Sequence, residues 1–128
     1  MPDPRLAQFE GQKYISLETF KKNGEGVKTP VWFVLHNSAF YVYTEADSWK
    51  VKRIRNNPRV RMAVCNARGN VIKGPWVDAT ASMVEGDERA VADKLLNQKY
   101  LLKVLFNVLT KISGRARVML KIVPTPRG

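Results

Sequence analysis

Residues Tyr43 to Val60, YTEADSWKVKRIRNNPRV, join the end of one predicted strand to the start of the next. Within this stretch, Ser48 to Asn56 is predicted to form a short helix, capped by Ser48 or Asp47. Pro58 cannot continue that helix, because it has no backbone N–H and its ring clashes with the preceding turn. The segment therefore predicts a strand, a helical corner and a second strand in close succession.

Lys50 lies in the first turn of this helix, beside the face on which Val51 and Ile54 should be buried. The first-turn N–H groups of a helix have no partner within it, and the helix dipole is positive at that end. Together with the Ser48 hydroxyl and the Lys50 ammonium, they would favour a bound phosphate. The spacing fits a solvated basic helix with a serine cap equally well, so the residues alone leave both interpretations open.

Several other segments alternate apolar and polar residues, which is typical of strands. Turns are expected at the Asn-Gly-containing Lys21 to Gly26 and at His36 to Ser38, and Pro30 places its strand at an edge or a bulge. Another strand is predicted to begin at Val71 and Ile72, before the strand at Trp76 to Val84. The predicted strands with both ends assigned are Lys13 to Phe20, Val27 to Leu35, Ala39 to Thr44, Arg59 to Cys65, Trp76 to Val84 and Arg115 to Val123.

Two further helices are predicted near the end of the chain. Asp87 should cap a helix from Glu88 to about Gln98, and Tyr100 to Lys111 carries a second helical pattern. Short hairpins with few helices predict a mainly β barrel of six or so antiparallel strands, with a short helix after the third strand and two helices before the last.

Composition and charge limit the possible functions. The 128 residues suit one domain, 1–128, and the net charge of +11 favours nucleic acid, an anionic membrane surface or an acidic small molecule as partner. With a single cysteine, Cys65, and a single histidine, His36, the chain has no intrachain disulfide and no cysteine zinc site. Because Met1 to Glu10 lacks an apolar signal segment and no apolar run reaches about 18 residues, we expect a cytoplasmic protein without integral membrane association.

The order TPVWFV, YVYT and SWKVKRIRNNPRV resembles the pyridoxamine 5'-phosphate oxidase-like superfamily, whose fold is the FMN-binding split β-barrel. Within it, the TPVW strand, the following hairpin, the basic S-x-K helix and the N-P-R-V strand start are similar to the deazaflavin branch, which binds coenzyme F-420. The likeness runs from about Lys13 to Ile122. It implies a split β-barrel that holds F-420, the first choice, or FMN.

The resemblance also implies which residues meet the cofactor. Thr44, Ser48 and Lys50 match positions that hold its phosphate, and Thr29 to Trp32 match the strand that runs along the flavin ring. Trp49 stands where some relatives have arginine, and Lys52 or Arg53 could replace that cation only if the geometry allows. The full expected set is Lys28, Thr29, Pro30, Val31, Trp32, Thr44, Ser48, Trp49, Lys50, Arg53 and Trp76.

By the same resemblance, the protein is expected to be an oxidoreductase that passes a hydride between F-420 or FMN and a small organic substrate. The hydride chemistry would belong to the cofactor, so no catalytic side chain and no metal ligand is predicted. A homodimer is expected, with Trp76 and the apolar Tyr100 to Ile112 helix as candidates to reach the second subunit. The alternatives are a non-catalytic F-420 or FMN carrier and, less favoured, a basic barrel that binds nucleic acid; we expect no nucleic acid.

Overall fold

The computed structural model describes residues 4–100 and 117–126. Its helices are a 3₁₀ helix at Pro4–Phe9, α1 at Trp49–Asn56 and α2 at Gly86–Lys99. None of the helices in these two ranges is long and apolar enough to cross a membrane. The strands are β1 (Tyr14–Phe20), β2 (Gly26–Val31), β3 (Val34–His36), β4 (Ala39–Glu45), β5 (Arg59–Cys65), β6 (Val71–Val84) and β7 (Arg117–Pro124).

The seven strands form one antiparallel sheet in the order β2-β1-β5-β6-β7-β4-β3. The two edge strands, β2 and β3, are separated in the chain only by Trp32 and Phe33. Three Cα–Cα steps span no more than about 11 Å, so the edges must come together and the sheet must curl into a half-barrel. The prediction of a mainly β split barrel is confirmed, and Pro30 lies on an edge strand as expected.

The predicted strand Val27 to Leu35 is two strands, β2 and β3, at opposite edges of the sheet. Because residues 31–35 are apolar throughout, alternation of residue types could not locate the break. One consequence is that α1 follows the fourth strand and not the third. Val71 and Ile72, in turn, begin the same strand, β6, that contains Trp76 to Val84.

The first helix has the predicted ends. Ser48 Oγ accepts a hydrogen bond from the Val51 N–H at 3.3 Å, and Val51 and Ile54 are buried. The predicted cap of α2 is wrong, because this helix begins at Gly86, where φ is +68°, and Asp87 lies in its first turn. In the described part of the chain, no side chain caps α2. The second helical pattern, Tyr100 to Lys111, lies outside the described residues except for Tyr100, which ends α2.

An aromatic cluster in the core fixes the N-terminal 3₁₀ helix, an element not predicted from the sequence. Phe9 is 1% exposed, and its ring meets those of Phe40 and Phe33 edge to face, with centroids 4.8 and 6.3 Å away. Leu6, from the same 3₁₀ helix, joins this core. The segment before β1 is therefore part of the packed barrel.

Tyr100 fixes the link between the two edge strands. Its ring stacks on Trp32 with centroids 4.7 Å apart and an angle of 4° between the planes. Its hydroxyl accepts from the Phe33 N–H at 3.2 Å and lies 2.9 Å from the Phe33 carbonyl and 2.7 Å from the Lys13 carbonyl. The end of α2 thus holds the chain at the point where it passes from β2 to β3.

Candidate functional site

A groove of about 500 Å³ opens between the end of β2, the end of β4 and the first turn of α1. Its volume is within the range of small-molecule sites. Six of the eleven predicted cofactor residues line it, and we call it the Lys50 groove; the six are Pro30, Val31, Trp32, Thr44, Ser48 and Lys50. The structure therefore brings the expected phosphate residues to the same place as the expected ring strand.

Two hydroxyl groups form the corner where β4 passes into α1. Thr44 Oγ1 lies 3.5 Å from Ser48 Oγ, and Ser48 Oγ also accepts from the Val51 N–H as the helix cap. Each hydroxyl has one proton to donate in addition to its acceptor capacity. The corner can therefore offer hydroxyl donors to an anion beside the open first turn of the helix.

Lys50 is the cation of this corner. Its side chain is half-buried, and within residues 4–100 and 117–126 it makes no hydrogen bond or ion pair. Burial lowers the pKa of Lys50 below the usual lysine value, and the nearby positive charge of Arg53 lowers it further. A partly desolvated ammonium without a partner is stabilised when an anion arrives, so Lys50 fits a phosphate.

Four lining residues of the Lys50 groove lie outside the expected set of eleven: Tyr14, Tyr43, Glu45 and Arg117. Glu45 and Arg117 face each other across the β4–β7 pair, and both have other interactions. Their proximity depends on pairing between strands more than 70 positions apart in the chain, and no local pattern shows that pairing. The Glu45 carboxylate and the Arg117 guanidinium carry one charge of each sign on this side of the groove. The positive end of the groove is therefore at Lys50.

Lys28, Thr29 and Trp76 do not line the Lys50 groove. The Lys28 ammonium lies 5.1 Å from the centroid of the Trp76 ring, and the Arg61 guanidinium lies 5.2 Å from the same ring. Thr29 Oγ1 is buried and has no hydrogen-bond partner within the part of the chain that the structure describes. Within the described residues, the Trp76 ring is thus in contact with cations and is absent from the lining of the Lys50 groove.

Trp49 and Arg53 line a second groove, of about 580 Å³, which we call the Trp49 groove. Lys50 is absent from its lining, because successive helix residues are rotated by about 100° and Lys50 faces elsewhere. The two candidates for the cation expected at position 49, Lys52 and Arg53, line this groove and not the Lys50 groove, and Arg53 Nε donates to Thr19 Oγ1 at 2.6 Å. The principal lining residues are Phe20, Lys21, Lys22, Trp49, Lys52 and Arg53.

No group of three or more His, Cys, Asp or Glu side chains in the described ranges could hold a metal ion. Cys65 is buried in β5, and burial raises the pKa of its thiol. His36 ends β3 beside the hairpin turn at Asn37 and Ser38, whose φ angles are both positive. Neither side chain lines either groove.

Lys99 gives a pH dependence that can be measured. Its Nζ donates to the Phe33 carbonyl at 2.9 Å and lies 3.6 Å from the centroid of the Phe33 ring. Although much of the side chain is exposed, burial of the ammonium lowers the pKa of Lys99 to about 8. Between about pH 8 and 10.5 the unfolded chain therefore binds more protons than the folded one, and the free energy of unfolding should rise with pH.

Urea unfolding at about pH 7.5 and about pH 9.5 measures this effect. Between these two pH values, the free energy of unfolding of the wild type should rise by on the order of 1 kcal/mol more than that of Lys99→Met, an amount reduced for solvent screening. Groups whose pKa is raised, such as Cys65, make the free energy of unfolding fall as pH rises. Because both proteins contain these groups, their contributions cancel when the two are compared. Equal pH slopes for the two proteins would show that Lys99 titrates normally.

The family model described as pyridoxamine 5'-phosphate oxidase matches residues 2–125. No curated protein matches the sequence. Among solved structures, the heme storage protein HutZ from Vibrio cholerae is 17% identical with a TM-score of 0.72, over 99% of this chain and 93% of that one.

Two other solved structures are similar over most of the chain. An F420 reductase is 17% identical with a TM-score of 0.61, over 98% of this chain and 97% of that one. The General Stress Protein 26 from Bacillus anthracis is 23% identical with a TM-score of 0.62, over 94% and 85%. At such identities these likenesses show a common fold, whereas the family match extends over nearly the whole sequence. The chain belongs to the pyridoxamine 5'-phosphate oxidase family.

Proposed function

We propose that the Lys50 groove binds the phosphate end of coenzyme F-420 or FMN, and that the protein is an oxidoreductase. The observation that carries the proposal is the meeting of Thr44, Ser48 and Lys50 with Trp32 in one groove. Membership of a family whose model is named for an oxidase supports it. The reaction would transfer a hydride to or from a small organic substrate within a single domain, residues 1–128.

The residues of the groove fit such a ligand. Lys50 would pair with the phosphate, while the Ser48 and Thr44 hydroxyls would donate to its oxygens. Trp32, fixed by its stacking on Tyr100, offers an aromatic wall to a flat ring. The cofactor would supply the hydride chemistry when bound, and the protein would hold it in place and partly exclude water.

F-420 is the first choice of cofactor, with FMN as the alternative. One structural neighbour is an F420 reductase, and the net charge of +11 suits a ligand with several acidic groups. We also propose a cytoplasmic homodimer. Trp76 lines neither groove of its own subunit, so any contact that it makes with a cofactor would be across a subunit interface.

A second candidate function on the same groove is a carrier that binds the cofactor without catalysis. The heme storage protein among the structural neighbours favours it, because it is a storage protein with the same fold. The two functions differ in one measurable property. An enzyme should reoxidise bound reduced cofactor when an acceptor from a substrate panel is added, whereas a carrier should protect it from all of them.

Fluorescence titration with F-420 and FMN side by side tests the proposal. We expect saturable binding of at least one of them at micromolar protein, with the tighter ligand identifying the cofactor. The Lys50–phosphate pair should also make the affinity fall as salt is raised. If neither cofactor binds at micromolar protein, the proposed function is wrong.

A further inference from the structure

The Trp49 groove has a lining different from that of the Lys50 groove. On α1, Trp49, Lys52, Arg53 and Asn56 are spaced so that they share one helical face, and all four line this groove. Trp49 is 71% exposed, more than Ile72 at 57% and the other exposed large hydrophobic side chains of the described ranges. Its ring is therefore available to a ligand, with the Lys52 ammonium 4.5 Å from the ring centroid.

The charge of the Trp49 groove is of one sign. Among the residues that the structure describes, four cations line it and no acidic side chain does. Lys21 is paired with Glu25 at 3.7 Å on the surface, whereas Lys22 and Lys52 form no ion pair within residues 4–100 and 117–126. These unpaired cations should attract an anion into the groove.

Arg53 is held in position at the wall of this groove. Its Nε donates to Thr19 Oγ1 at 2.6 Å, and Thr19 is fully buried in β1. That bond uses one of the five guanidinium N–H groups and leaves the others for an acceptor. A fixed guanidinium can bind the two oxygens of a carboxylate at once, which a freely rotating lysine does not do.

We propose that the Trp49 groove binds a small aromatic carboxylate, with its ring against Trp49 and Phe20 and its carboxylate against Arg53 and Lys52. The volume of about 580 Å³ suits a molecule of this size, and the lining combines exposed aromatic surface with unpaired positive charge. This site is separate from the Lys50 groove, and its existence does not depend on a cofactor being bound there.

The test uses the whole purified chain and 2-naphthoate as probe. Isothermal titration calorimetry should show one saturable, sub-millimolar site, with 2-naphthylmethanol, the uncharged analogue, bound at least about tenfold more weakly. In a ¹H–¹⁵N spectrum, the indole signal of Trp49 is identified by its absence from the Trp49→Phe variant. When 2-naphthoate is added to the wild type, this signal should shift more than those of Trp32 and Trp76. That pattern would locate the ligand at the Trp49 groove.

Variants separate this site from the proposed cofactor site. Trp49→Ala, Arg53→Gln and Lys52→Gln should each weaken 2-naphthoate binding, by about tenfold for Trp49→Ala. Lys94→Gln removes the same charge from an exposed position on α2 and should leave binding unchanged. Because Trp49 is exposed, its variant should remain folded, which a circular dichroism spectrum would verify.

Four results would overturn the proposal. Equal affinity for 2-naphthylmethanol would show that charge has no part. A greater loss with Lys50→Gln than with Lys52→Gln would place the ligand in the Lys50 groove. Displacement of 2-naphthoate by oligothymidylate, with a steep dependence on salt, would identify a nucleic-acid surface. A change of oligomeric state in Trp49→Ala would show that a second copy of the chain covers the groove.

Discussion

Replacing Lys50 with glutamine should weaken the binding of F-420 or FMN by about 10- to 100-fold, the range expected when one hydrogen bond to a charged group is lost. The expectation rests on the isolation of Lys50, which has no ion-pair partner in the described ranges and lies beside the Ser48 cap. Fluorescence titration of the variant and the wild type at one salt concentration measures the ratio of dissociation constants.

The stability of the same variant should be unchanged or slightly raised. Burial lowers the pKa of Lys50, so its charge is partly desolvated in the folded protein and costs some free energy there. Lys94→Gln is the matched control, since it makes the same chemical change at an exposed position on α2. If Lys50→Gln bound both cofactors as tightly as Lys94→Gln, the phosphate would not lie at Lys50.

The second large effect should come from the N-terminal segment. Phe9→Ala should lower the free energy of unfolding by about 3–5 kcal/mol, because it leaves a cavity between the rings of Phe33 and Phe40. The whole stability of a domain is commonly about 5–15 kcal/mol, so a marked fall in the urea midpoint should be seen.

Ala7→Ser is a suitable control for this variant. Ala7 is exposed in the same 3₁₀ helix, two positions before Phe9, and its replacement should change the free energy of unfolding by less than about 0.5 kcal/mol. A loss of less than about 1 kcal/mol in Phe9→Ala would mean that this segment is not packed in the core in solution.

The helix at the site could be predicted because local residues determine it. Ser48 supplies the cap, Pro58 prevents continuation, and the spacing of Val51 and Ile54 identifies the buried face. The same helical spacing separates Trp49 and Arg53 from Lys50, so their place on another face of the helix could be predicted, whereas the opposite wall of the second groove, with Phe20 and Lys22, could not. The resemblance to the family grouped these residues together, and the structure places them in two grooves.

Other features depend on contacts between distant parts of the chain. Phe9 stands between Gln8 and Glu10 in the sequence, and its burial depends on Phe33 and Phe40, which follow much later. Likewise, the partnership of Trp76 with Lys28 joins β6 to β2. Alternation and capping rules describe near neighbours, and they carry no information on such pairs.

The position of Tyr100 has a consequence for the order in which the groove is built during synthesis. Nearly all lining residues of the Lys50 groove lie in the first 50 positions, yet Trp32 is held by Tyr100, and Thr44 pairs with Val118 on β7. A nascent chain emerges from the ribosome N-terminus first, so these residues wait for partners that follow about 70 positions later. The Lys50 groove is therefore complete only after β7 has left the ribosome, and the proposed cofactor could be held there only from that point.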